Sequence, residues 1–66
     1  MLILFNRVNN TQIAINPAHI SRIYSVPNTN DRTIIYFDHG NSVHVEGAFL
    51  DIYTKIQTAT SSFKLV

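Results

Sequence analysis

The stretch INPAHISRIYSV, residues 15 to 26, decides the fold of this chain, because an Asn-Pro pair interrupts a run that otherwise reads as strand. Pro17 has no N–H to donate and its ring fixes φ, so a paired strand must end at Asn16. The proline also holds Asn16 in extended backbone. The Asn16 side chain can accept from the N–H groups just beyond it, which makes "NPAH" a single helix-like corner. A strand then resumes at Ile20 and stops before Pro27. A helix across 17 to 26, with Ile20, Ile23 and Tyr24 on one face, is the rival reading. The shortness of the run and the Ser25-Val26 pair before Pro27 favour the strand.

On the N-terminal side of the corner, "LILFNRV" (residues 2 to 8) is an apolar run bounded by Asn9-Asn10, and "TQIAIN" follows with Ile13 and Ile15 in alternation. Two such runs split by an Asn pair read as a hairpin, since Asn tolerates the left-handed backbone of a tight turn. On the C-terminal side, "PNTND" is a polar loop. "RTIIYF" then runs apolar on both faces, the pattern of a central, well-buried strand. "DHGN" is a turn with Gly40 at the position needing positive φ. "SVHVE" alternates, with Val43 and Val45 inward and Ser42, His44 and Glu46 outward. After Gly47 the period changes: Phe49, Ile52, Tyr53 and Ile56 fall at helical spacing, continued by Ala59 and Phe63. Asp51 and Lys55 sit at i, i+4 on the outer side, in the favourable order. Weak helix formers in "TATSSF" predict fraying near residue 60.

The expected fold is therefore β-rich α+β in one domain, residues 1 to 66. About five short antiparallel strands (2–8, 12–16, 20–26, 32–37 and 42–46) form a small barrel or curled sheet, with one C-terminal helix over 48–60. A chain of 66 residues buries only about 60% of its unfolded surface. With no cysteine, neither disulfides nor thiolate metal sites can reinforce it. Oligomerisation is the remaining common support for so small a domain. Five Lys and Arg against four Asp and Glu are too balanced for a nucleic-acid tail or a membrane-surface patch. "MLILF" is too short for the apolar region of a signal peptide, and no run approaches the roughly 20 apolar residues of a membrane span. A soluble cytoplasmic protein without membrane insertion is expected.

Three histidines, His19, His39 and His44, lack the paired spacing of a metal site, although His39 and His44 flank one hairpin and can approach each other. Asp38, Ser42 and His44 have the residue types of a nucleophile, base and orienter set. No Gly-rich oxyanion loop accompanies them, and so small a fold fills its interior with its own side chains. No catalytic residue, metal or cofactor is assigned, and the chain is read as a non-enzyme. Two candidate contact sets remain. Leu2, Ile3, Leu4 and Phe5 form a strand apolar on both faces, with Leu2 and Leu4 opposite Ile3 and Phe5, which is more than one helix can cover. This set is the candidate for self-association. Arg7, Arg22 and Arg32, with Tyr24 and Tyr36, are candidates for a basic and aromatic sheet face that contacts nucleic acid or another ligand. Five basic residues fall short of the about six to ten phosphate contacts of strong binders unless subunits combine.

The order "FNRVNN", "INPAHISRI", "TIIYFDHGNSVHVEG" and "IYTKI", residues 5 to 56, resembles the small flagellar FlbD/SwrD-like family, which includes unassigned phage and plasmid proteins. In that family a first strand, a turn, an Asn-Pro corner, an IxxI strand, a Gly hairpin and a helix follow one another. The family's usual turn Gly is replaced here by Asn10, and its acidic residues by Ser21 and Tyr24. The resemblance implies a small binding or regulatory module that acts by protein–protein contact; the small core and the apolar N-terminal strand add a homo-oligomer as the expected assembly. The alternative is a nucleic-acid-binding or nucleotide-sequestering small β-barrel, in keeping with a phage origin. "MLIL" and "VHVEGAFLDIYTKIQ" are also similar to the carbon-storage RNA-binding regulators, at the two ends only.

Overall fold

At the Asn-Pro corner the Asn16 side-chain oxygen accepts from the Ala18 N–H at 3.0 Å, and its carbonyl accepts from the His19 N–H at 3.0 Å. Pro17–His19 form one 3-10 turn, closed where the Ile20 N–H donates to the Pro17 carbonyl. A computed structural model of the chain describes residues 1–60. It contains β1 (Ile3–Asn6), β2 (Gln12–Ile15), β3 (Ile20–Ser25), β4 (Arg32–Phe37), β5 (Ser42–Glu46) and α1 (Phe49–Thr60). The corner thus separates two strands, and the rival helix over 17 to 26 does not form.

All strand pairs are antiparallel, in one sheet of order β1-β2 and another of order β3-β4-β5. An isolated bridge between Arg7 and Val45 joins the two sheets, with the Val8 N–H donating to the His44 carbonyl at 3.4 Å. The result is a curled pair of sheets and not a closed barrel. β1 is shorter than its apolar run because Arg7, whose N–H still donates to the Thr11 carbonyl at 2.7 Å, also bridges to β5 together with Val8. Asn10 makes the turn with φ of 70°, and the Thr11 hydroxyl donates to the Asn9 side-chain oxygen at 2.6 Å. At the β4-β5 hairpin Gly40 has φ of 94°, and its N–H donates to the Phe37 carbonyl at 2.9 Å. A register shift between Ile20 and Arg22 marks a bulge that the sequence pattern did not signal. The Ser21 hydroxyl lies there, within 3.3 Å of the Tyr36 carbonyl.

The core gathers Ile3, Phe5, Ile15, Ile35, Val43, Val45 and Ile52, with Ile13, Ile20, Ile23, Phe37, Ile56 and Ala59 packed around it. Helix α1 therefore covers the inner face of β3-β4-β5 and meets the β1-β2 hairpin at its side. Two helix expectations need correction. Tyr53, placed on the apolar stripe by spacing, is exposed and stacks on Phe49 with centroids 6.5 Å apart. One residue on from Ile52 turns about 100° around the axis, which carries Tyr53 off the buried stripe. Lys55 does not ion-pair with Asp51. Its ammonium donates to the Leu4 carbonyl at 2.6 Å and lies 4.8 Å from the centre of the Phe5 ring. Phe63, expected to extend the stripe, lies outside the described residues.

Gly47 fixes where the helix starts. Its φ is +129°, and a Cβ there would lie 2.7 Å from Ile52 Cδ1. Its N–H donates to the Asp31 carbonyl at 2.7 Å, and its carbonyl accepts from the fully buried Thr33 hydroxyl at 2.9 Å. These contacts clamp the end of β5 to the start of β4 and aim α1 across the sheet.

Candidate binding surfaces

The β1-β2 hairpin sorts the N-terminal apolar run by strand alternation. Ile3 and Phe5 point into the core, 7% and 2% exposed, whereas Leu2 and Leu4 are 66% and 52% exposed. Of the four candidate self-association residues, only Leu2 and Leu4 are at the surface. Met1 is also exposed, and Ala14 stands opposite Leu4 in the pairing. Ile3 and Phe5 instead anchor the hairpin to the core.

The second surface is the outer face of β3-β4-β5. Antiparallel register places Arg22 beside Tyr36 and Ser42, Tyr24 beside Ile34 and His44, and Arg32 beside Glu46. These partners alternate with the buried Thr33, Ile35, Val43 and Val45, so they share the face turned away from α1. The Arg22 guanidinium lies 4.5 Å from the centre of the Tyr36 ring and 5.9 Å from that of Tyr24. The two tyrosines meet edge to face, centroids 5.6 Å apart and planes at 89°. Arg22, Tyr24, Arg32 and Tyr36 are thus brought onto one face. Arg7 is not: its bridge partner Val45 points to the core side, and Arg7 is half-buried at the sheet junction.

The histidines group differently from expectation. His19 Nδ1 and Asp38 Oδ2 are 3.6 Å apart at an exposed position, and the His39 Nδ1 accepts from the Asn41 N–H at 3.4 Å. His19 and His39 line one open cleft of about 440 Å³ with Ile13, Ile15, Phe37 and Asn41, while His44 stands on the outer sheet face. The cleft was not anticipated, because it arises from the corner meeting the β4-β5 hairpin, where the Asp38 N–H donates to the His19 carbonyl at 3.0 Å. Asp38 faces His19, so it does not orient His44 toward Ser42. Among the described residues no group of three His, Cys, Asp or Glu is placed to hold a metal ion, and no helix is long and apolar enough to cross a membrane. Comparison with family models, with curated proteins and with solved structures finds no match for this chain.

Proposed function

We propose that this protein is a small non-enzymatic binding module of the cytoplasm, similar to the FlbD/SwrD-like family, that acts by protein contact and works as a homo-oligomer. The observation that supports this reading is the outer face of β1. Leu2 and Leu4, two positions apart and so on one face of the N-terminal segment, are 66% and 52% exposed. Large apolar side chains left exposed together on a small domain support a contact site there. Burying one Leu side chain contributes roughly 1.5–3 kcal/mol. In a two-fold contact each such burial occurs twice, which helps offset the cost of association.

Light scattering across a dilution series tests the reading. The wild-type chain is expected to show a molar mass above that of one chain at micromolar concentration. Leu4→Lys places a charge in the patch and should shift the mass toward the monomer by tenfold or more in dissociation constant, an effect of about 1.4 kcal/mol. Thr58→Lys, on the exposed side of α1, should leave the mass unchanged. A wild-type chain that stays monomeric at high micromolar concentration would end the proposal.

A further inference from the structure

We propose that the outer face of β3-β4-β5 binds single-stranded nucleic acid, with bases stacking on Tyr24 and on the Arg22–Tyr36 pair and the phosphate backbone meeting Arg22 and Arg32. This goes beyond self-association through β1 and uses a different surface.

Charge is the first argument. The paired rows of this face hold two arginines and one carboxylate, Glu46, which stands opposite Arg32. Among the described residues the single ion pair joins His19 and Asp38, so neither arginine is in direct contact with a carboxylate, and Arg22 has none in its row. Geometry is the second. Arg22 is held over the Tyr36 ring, an arrangement in which the guanidinium presents a flat surface and keeps its N–H edge available for an anion. Tyr24, 51% exposed, adds a second aromatic platform on the same face. Tyr36 and Arg32 are four residues apart on β4, about 13 Å at roughly 3.3 Å per residue. The face thus offers stacking at one end and a further cation at the other.

Partner class follows from what this face lacks. Two arginines are too few for a duplex, whose binders neutralise about six to ten phosphates. A single strand needs fewer, because each stacked base contributes its own affinity whatever its identity. Tyr and Arg also anchor protein interfaces, but there they sit at the centre of an apolar, fully desolvated patch. Here the aliphatic content of the rows is Ile34, already half-buried, and the neighbours are Ser42, His44 and Glu46.

The experiment is fluorescence anisotropy of the full chain with labelled oligothymidylate and oligouridylate of about twenty nucleotides, long enough for a site of this size. A duplex of equal length is the comparison. Binding to the single strands, weaker to the duplex, is expected, and affinity should fall with salt by a log–log slope of about 0.7 per phosphate contacted. Tyr24→Ala should weaken binding at least about fivefold with the slope unchanged, as loss of one stacking surface requires. Arg22→Ala should weaken binding and reduce the slope by about 0.7, while Arg22→Lys restores the slope but not the full affinity. Both side chains are exposed, so circular dichroism should match the wild type. Tyr24→Phe, which keeps the ring, should bind as the wild type does. Leu4→Lys run in parallel separates the two surfaces: its monomer should still bind with the same Tyr24 and Arg22 dependence. Flat titrations with both single strands overturn the proposal and leave the face to a protein partner. Equal affinity for the duplex, or binding indifferent to Tyr24→Ala, overturns it as well.

Discussion

The two faces of the β3-β4-β5 sheet are built from one alternating sequence and come to opposite ends. On β4, Thr33 and Ile35 are fully buried beneath α1, while Ile34 and Tyr36, equally apolar by composition, lie half-exposed on the other side. The strand alone does not determine which side is covered. The number of covering elements does, and this chain has one helix among its described residues. On the covered face, volume and shape set each residue. On the open face Arg22, Tyr24 and Tyr36 pack on one another with no element above them, so their identity speaks to what they meet from outside.

That contrast can be broken most directly with a matched pair of substitutions. Ile35→Ala opens a cavity beneath α1 and should cost about 2–5 kcal/mol, much of the whole stability of so small a domain. Ile34→Ala, its neighbour on the open face, should cost about 1 kcal/mol or less. Urea unfolding of the two variants measures the difference. Similar losses would mean that the outer face is packed in solution, for instance within an oligomer.

The clamp at Gly47 is the next largest effect. Gly47→Ala puts an L side chain at φ of +129° and drives its Cβ against Ile52. A loss of about 1–3 kcal/mol is expected from the backbone alone. The thermal midpoint should fall accordingly, while Gly40→Ala, with open space around its Cβ, should lose less. Thr33→Val sharpens the same point from the other partner. It keeps the shape but removes the donor to the part-buried Gly47 carbonyl, at a cost of about 0.5–1.5 kcal/mol for the lost hydrogen bond. A Thr33→Val variant as stable as the wild type would show that Gly47 is held by sterics and not by this hydrogen bond.

Most of the fold was legible in the sequence, because its punctuation is local chemistry. Pro17 ends β2, Asn10 and Gly40 take positive φ in two of the turns, and the change of period after Gly47 announces α1. What escaped depends on contacts between distant segments. The bridging of Arg7 and Val8 to β5, the bulge at Ser21 and the use of Lys55 on the Leu4 carbonyl leave no mark in a local pattern. The same holds for the surfaces. Alternation put Leu2 and Leu4 opposite Ile3 and Phe5, but only tertiary packing decided which pair was core. Composition grouped three arginines with two tyrosines. Register kept Arg22, Arg32, Tyr24 and Tyr36 together, and the sheet junction removed Arg7.

The smallest expected effect tests whether the open face is ordered before anything binds it. Arg22 lies over Tyr36 at 4.5 Å, on an edge strand in contact with solvent. A cation–π pair at such an exposed site contributes about 0.5–1 kcal/mol. A double-mutant cycle of Arg22→Ala and Tyr36→Ala, followed by urea unfolding, isolates that coupling from the packing each side chain makes separately. Urea is the suitable denaturant, because a guanidinium salt would screen the charge and compete for the ring. Coupling of the expected size means that the guanidinium is held in place, so a ligand meets a preformed platform and little side-chain entropy is lost on binding. Coupling near zero would mean that Arg22 samples many rotamers in the free protein. Its contribution to affinity would then come from charge alone, and Arg22→Lys would bind as well as the wild type.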